Sequence, residues 1–355
     1  MKNLFYLLLL VTLSLNSCTG SESDEGQDVV TYVKVFSSGS NIILGQTAKL
    51  VATDNLNNDV TSESTFYING QLNAGGALFN PEHLGDYTIT AKYKDFNTKP
   101  IKVAVIKPTG VNFVHRILYE DITGTWCGNC PIASVRYENL VAQNDKVVFL
   151  GVHGPTVKTD PFTSQAAMNL VSLLKIGEYP TILLNNTKKW TANDNNYQDM
   201  SFAIPLIKPF SKIGIAITTK LENNVFSGEY KVAFAENYSN LKTTVYIVEN
   251  KIVYPQHNYF DGSGGRPVLF GGKAIVNDYV HHNVLRDALT PVAGTPIASS
   301  DSQDGSVYTQ SFSYTIPADF AKENVKVMIV ISDANNDVLN VREADINTIN
   351  ALETL

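Results

Sequence analysis

The chain opens with an apolar run, residues 4–15, broken only by Thr12 and Ser14, and beyond a short polar stretch its patterning changes three times. Over 29–107, apolar and polar residues alternate in short runs at 32–36, 47–52, 65–68, 87–93 and 101–105. A period of two is that of a strand with one wet face, and Asn69-Gly70 and Gly85-Asp86 supply turns. Five such strands in about 80 residues predict a small sandwich. Over 108–210 the pattern predicts a strand at 116–122, then a helix at 131–142 with Ile132, Val135, Leu140 and Val141 on one side. The unbroken apolar run at 146–152 has the signature of a buried parallel strand. Asp160-Pro161 suits the cap and first residue of a helix reaching Leu174, and 180–184 is a further strand. That β-α-β-α-β order predicts an α/β layer. Over 211–355 strand patterning returns at 213–219, 229–235, 243–248, 309–315 and 325–332, with a long irregular insertion at 254–306. The expected fold class is multidomain α/β plus all-β: two sandwiches flanking a central α/β domain.

The length of 355 residues fits several domains rather than one core. A net charge of -7 with no basic run argues against nucleic acid as the partner. Residues 4–15 are too few to span a bilayer, which takes roughly 20, but suit the core of a signal peptide. Leu15-Asn16-Ser17-Cys18 resembles a lipobox, with Asn16 where a small residue is usual. It predicts a signal peptide at 1–17 and acylation of Cys18. A plain secretory signal containing a cysteine is the simpler alternative. Residues 18–28 carry Glu22, Asp24, Glu25 and Asp28 and no means of burying surface, which predicts a flexible acidic tether. The tether also resembles the acidic signal that sends some Bacteroidota lipoproteins to the outer face of the outer membrane. The expected partner is therefore the outer membrane through a lipid anchor, in the cell envelope, periplasmic or surface-exposed. Residues 29–107 resemble bacterial immunoglobulin-like modules, most clearly in LGDYTITAKY at 84–93. Residues 54–59 read as a polar hairpin, because a calcium loop would need a central Gly and a distal Glu.

Two of the three cysteines, Cys127 and Cys130, stand in TGTWCGNCP at 123–131. A closed zinc site needs four ligands, and no histidine lies within ten residues of the pair, so no metal is expected. A structural staple gains little, because bridging residues three apart removes little loop entropy. Redox use fits the placement best. The pair follows a strand and opens a helix, where the dipole and free N–H groups favour a Cys127 thiolate. An oxidising compartment makes the couple meaningful.

WCGNCP resembles the WCxxC site of thioredoxin-like proteins, and the likeness covers about 110–210. It implies a buried acid at Asp121 that helps deprotonate the second cysteine. It implies a cis-proline segment at Tyr179-Pro180-Thr181 facing the disulfide, and a shielding role for Trp126. The chain departs from that pattern at Gly128-Asn129 between the cysteines, at Pro131 and at the bulky Tyr179. The layout as a whole resembles the outer membrane protein twenty-eight family of Bacteroidota lipoproteins. Features that look like that family's are His153-Gly154, Asp160-Pro161-Phe162, residues 248–250, Pro255-Gln256 and residues 282–286.

Glu120 competes with Asp121 for the buried position. His153 ends the strand expected beside the first and can lie near the disulfide or be satisfied by backbone. His281, His282 and Arg286 read as a turn and helix packing element, with an anion site as the alternative. Residues 261–266 lack the Gly-Lys-Ser/Thr ending of a phosphate loop, and no cofactor is expected. Two functions stay open. One is a thiol–disulfide oxidoreductase in which Cys127 forms a mixed disulfide with a thiol- or disulfide-containing protein, Cys130 resolves it, Asp121 relays the proton and Pro180 aligns the substrate. The other is a non-enzymatic surface lipoprotein, an adhesin or ligand-binding protein, whose cysteine pair is vestigial or structural.

Overall fold

Residues 29–155, 160–191 and 194–355 are described by the computed structural model, so the signal peptide, Cys18 and the tether lie outside the described residues. The first module comprises β1 Val33–Ser37, β2 Asn41–Ile43, β3 Ala48–Asp54, β4 Thr65–Ile68, β5 Gly85–Tyr93 and β6 Ile101–Ile106. β1 pairs with β3 in one sheet; β2, β6, β5 and β4 follow one another in the second. Every second residue of β3, namely Ala48, Leu50 and Ala52, enters a core shared with Val35, Phe66, Ile89 and Val103. Asp54 closes the polar hairpin after β3 by accepting from the backbone N–H of Leu56 and Asn58, each at 2.9 Å.

The expected central α/β domain is not found. Among the described residues there are two α-helices, α1 Pro131–Gln143 and α2 Gln165–Leu173, and the molecule is predominantly β with sandwich character. β7 Ile117–Thr123 and β8 Val147–His153 run parallel as their apolar runs predict, but β9 Thr181–Leu184 is antiparallel to β7. Nor does the sheet stop there. β10 Ile213–Glu222 and β11 Val225–Phe234 form a hairpin in a second sheet, and β12 Lys242–Glu249 returns the chain to the first. β13 Val284–Ala288 then sits against the outer edge of β8, followed in space by β12, β15 Val325–Ser332 and β16 Val338–Asp345. A nine-stranded mixed sheet thus crosses the expected α/β block and the C-terminal strands. An apolar run such as 146–152 reports that both faces of a strand are covered; it does not report which strand fills its edge.

Side-chain parity explains the burial. In β7, Ile117 and Tyr119 pack under α1 with Ala133 and Leu140, while Leu118 and Ile122 pack under α2 with Ala167 and Leu170. In β12, Tyr246 and Val248 continue the α2 layer, and Val245 and Ile247 face the four-stranded sheet of β14 Val307–Thr315, β11, β10 and the short strand Ile349–Asn350. That sheet and β15 supply Ile215, Ile217, Phe226, Val232, Val327 and Ile329 to the C-terminal core.

Two local expectations are also corrected. The second helix begins at Gln165, not at Pro161. Ser164 is its cap, its hydroxyl accepting from Ala167 N–H at 3.1 Å, because the Asp160 carboxylate is engaged elsewhere. Residues 284–288, read as part of a turn and helix, are the strand β13, so the insertion at 254–306 is interrupted by a core element.

Where β8 meets the C-terminal strands the backbone pairing is short. β8 and β13 share the parallel pair Gly151↔Val284, with Gly151 N–H donating to Asn283 O at 3.0 Å. The buried Asn283 amide reinforces it, donating to Phe149 O at 3.0 Å and to the Glu343 carboxylate at 2.6 Å. A Cβ on Gly151 would lie 2.8 Å from the backbone oxygen of His282, which cannot swing aside. Gly151→Ala is therefore expected to destabilise the protein by ~1–3 kcal/mol, the usual range for overpacking. Urea denaturation measures this; an unchanged or raised midpoint would show that the seam does not constrain the fold.

Candidate functional site

β7 delivers the chain to a loop at 124–130, and α1 carries it away. Cys127 N–H donates to Gly124 O at 3.0 Å, and Cys130 N–H to Cys127 O at 3.1 Å, so the loop tightens as it enters the helix. Cys130 takes the cap position in α geometry, and Pro131 follows where its missing N–H leaves nothing unsatisfied. Cys127 and Cys130 are joined in a disulfide, with Cα atoms 5.4 Å apart. Their residual exposure decides what this bond can do: Cys127 is 4% exposed and Cys130 1%.

The insertion lies against this loop. Residues 256–260 alternate buried and exposed, with Gln256, Asn258 and Phe260 directed inward. Gln256 Nε2 donates to Gly124 O at 3.1 Å and Cys127 O at 3.0 Å. His257 N–H donates to Thr125 O at 2.9 Å and Tyr259 N–H to Gly128 O at 2.7 Å. The insertion thus lies along the cysteine loop and pairs with its backbone carbonyls. Gly128 is required by that approach, since a Cβ there would stand 2.4 Å from the Tyr259 ring. Phe260 and Leu269 pack on Ile132 of α1, and Arg266 reaches Asn129 Oδ1 at 2.8 Å while stacking 4.4 Å from the Phe260 ring centre. Asn258 ties the insertion together, donating to Leu269 O and Lys273 O and accepting from Phe260 N–H.

Both acids that compete for the buried position are buried, on opposite faces of β7. Asp121 faces α1. Its Oδ2 lies 3.5 Å from the Ser134 hydroxyl, which accepts from Tyr279 OH at 2.7 Å. Its Oδ1 has no hydrogen-bond partner among the described residues. Burial pushes the Asp121 carboxyl up to about 8, against the opposing Ser134 hydrogen bond. Burial likewise raises Glu120 to about 8, although the Asn186 N–H donates to it at 2.9 Å.

His153 and Asp160 form a second buried cluster beside the same loop. His153 Nδ1 lies 3.0 Å from Asp160 Oδ2, which also accepts from Thr125 N–H at 2.7 Å; Oδ1 accepts from Phe162 N–H at 2.9 Å. Burial works to raise the Asp160 carboxyl, but the imidazole and the two N–H donors outweigh it and hold it at about 2. An ionised Asp160 thus anchors the residue two positions before Cys127. His281 lies against His153, ring centres 5.2 Å apart, and burial depresses it to about 3. His282 faces Asn250 instead, and Arg286 stands 3.5 Å from Glu249 and 4.1 Å from the Phe320 ring centre, so the three residues read as a candidate anion site do not converge. Trp126 meets Tyr179 edge to face at 5.5 Å, and the Tyr179–Pro180 peptide is cis. Tyr259, Ser134 and Tyr279 escape the sequence reading, and Gln256 enters it only within Pro255-Gln256, as part of the family resemblance. The alternation at 256–260 is one of burial only: Gln256-His257-Asn258-Tyr259-Phe260 shows no alternation of polar and apolar residues, so the pattern carries no signal for it.

The profile of the family described as Outer membrane protein Omp28 matches residues 167–350, just over half of the chain. No curated protein matches it. Among solved structures, HBP35 of Porphyromonas gingivalis is similar over 67% of this chain and 77% of that one, at 16% identity and a TM-score of 0.50, a likeness of fold alone. A domain of the outer membrane lipoprotein Omp28 from Porphyromonas gingivalis matches at 16% identity, covering 39% of this chain and 91% of that one, with a TM-score of 0.26. The Yersinia pseudotuberculosis adhesin InvE matches at 9% identity, 89% and 59% coverage and a TM-score of 0.18; neither of these last two superpositions carries an argument. No helix among the described residues is long and apolar enough to cross a membrane. From the extent of the profile match, the chain belongs to the outer membrane protein Omp28 family and has its place at the outer membrane of the cell envelope.

Proposed function

We propose that this protein is a non-enzymatic surface lipoprotein, anchored through an acylated Cys18 and built to present its β modules to a ligand, with Cys127–Cys130 acting as a structural clip. The observation that carries this reading is the cover on the disulfide. Exchange requires a thiolate to reach a sulfur in line with the bond, and both cysteines are all but inaccessible under residues 256–260. Reaching them means parting the four hydrogen bonds from Gln256, His257 and Tyr259, each worth about 1 kcal/mol net, and exposing Phe260 and Leu269 as well. The clip's role is local: it fixes the loop that receives Gln256, His257 and Tyr259.

Three measurements test this reading. In an insulin-reduction assay the protein should add nothing to the rate given by dithiothreitol; marked acceleration would replace the structural reading with an exchange enzyme. Removing the clip with the double change Cys127→Ala and Cys130→Ala should lower stability by about 2 kcal/mol, as expected for so short a loop, and leave the circular dichroism spectrum intact. Loss of the fold would show a larger role. The third concerns pH. Burial raises the folded-state pKa of Asp121 above its ordinary 3.8 towards about 8, so the folded chain binds the proton more tightly than the unfolded one. Stability from this group is full at low pH and falls as pH rises through that window. Asp121→Asn should therefore flatten the fall in melting temperature between about pH 5 and about pH 8.5; a slope equal to that of the wild type would place the titration elsewhere.

A further inference from the structure

The four-stranded sheet of the C-terminal sandwich ends on β14, whose outer edge pairs with no strand among the described residues, although Gly45 of the first module lies against Val307 at its start. β14 runs beside β11 without a bulge, from Val307↔Ala233 to Thr315↔Val225, and β11 is its one strand partner among the described residues. In an antiparallel ladder alternate residues turn their N–H and C=O away from the partner, so nine residues leave on the order of four such pairs unbonded along the outer edge. Proteins usually blunt a long edge with lysine, proline, a bulge or a covering loop. The sequence of β14, VYTQSFSYT, holds no charge and no proline. The other edges contrast with it. β1 is five residues long and carries Lys34. The far side of the same four-stranded sheet is the two-residue strand Ile349–Asn350, and the nine-stranded sheet ends on Lys188–Lys189 and on β16, which bears Arg342, Glu343 and Asp345. The sandwich is also open beside β14. A cavity of about 380 Å3 separates Tyr308, Gln310 and Phe312 from Leu289, Thr290 and Thr295 of the facing sheet.

We propose that β14 is a homodimerisation edge, on which a second copy of the chain lays its own β14 antiparallel and joins two four-stranded sheets into one. A twofold pair uses the same patch on both partners, so the patch must tolerate itself. An uncharged strand does so in any antiparallel register, because no like charges are brought face to face. Its Ser, Thr and Gln side chains hydrogen-bond across the strands, and Tyr308 and Tyr314 provide aromatic cross-strand contacts. Among the described residues, another β14 is also the one partner edge that matches it in length and neutrality. The net charge of -7 on each copy opposes association. Since the interface holds no ion pair, added salt screens that repulsion and strengthens the dimer, the reverse of what an ion-paired interface does.

Sedimentation equilibrium on the whole chain tests the proposal. Wild-type protein at about 100 µM should be dimeric and dissociate on dilution towards about 1 µM, as befits a small interface, with the equilibrium moving to dimer in salt. Ser311→Lys, which puts a charge on the pairing strand at an exposed position, should weaken the dimer at least about tenfold, and Thr309→Lys should do the same. Amide exchange over 307–315 should slow as concentration rises, and this readout decides alone if either variant fails to fold. A wild-type monomer at every concentration overturns the proposal. So does a dimer that both variants keep, or one that leaves exchange over 307–315 unchanged.

Discussion

Everything distinctive in this molecule follows from β13 lying against the outer edge of β8. The contact itself is slight, one backbone pair at Gly151 and Val284 supported by the Asn283 amide. Its consequences are large. The outer edge of β8 is filled, and the sheet continues through β12, β15 and β16. Of the chain leading into β13, residues 256–259 pair with the backbone of the loop that follows β7. The sheet seam and the disulfide cover are two ends of one segment.

That placement gives the buried polar groups their roles. Asp160 stays ionised because His153 and two backbone donors satisfy it, and its carboxylate in turn holds Thr125, whose carbonyl receives His257 N–H. Asp121 meets the opposite fate. One oxygen has a single long contact and the other has none among the described residues, so burial favours the neutral acid. One carboxylate is thus anchored by its donors, and the other is pushed towards its neutral form by burial. A loop fixed in this way presents carbonyl oxygens at regular intervals to the insertion, and the disulfide beneath is sealed as a result.

Much of the fold is legible in the sequence. The alternation in 29–107 and the runs at 146–152, 243–248 and 325–332 all become strands near the expected bounds. The loop TGTWCGNCP does open a helix. What the pattern cannot convey is long-range pairing. The apolar run of β8 looks the same whether its edge meets solvent, a domain boundary or β13, and a motif of six residues carries no information about a cover contributed 130 residues later. Likewise Val284 to Ala288 is short and carries Arg286 and Asp287, so its charge masks a central strand. Asp160-Pro161 fits a cap locally, so the pattern alone starts the second helix too early, and nothing local reveals that His153 and Thr125 compete for the same carboxylate. The resemblance to redox modules rests on a short motif and a few residues around it, but accessibility is a property of the whole chain.

The rate at which dithiothreitol reduces the Cys127–Cys130 bond, compared between native protein and protein unfolded in guanidinium, tests that sealing most directly. A cover that must open first should slow native reduction by a factor of about 100 or more, since parting it costs several kcal/mol. Equal rates in the two states would mean that the sulfurs are open to solvent and that the insertion seals nothing.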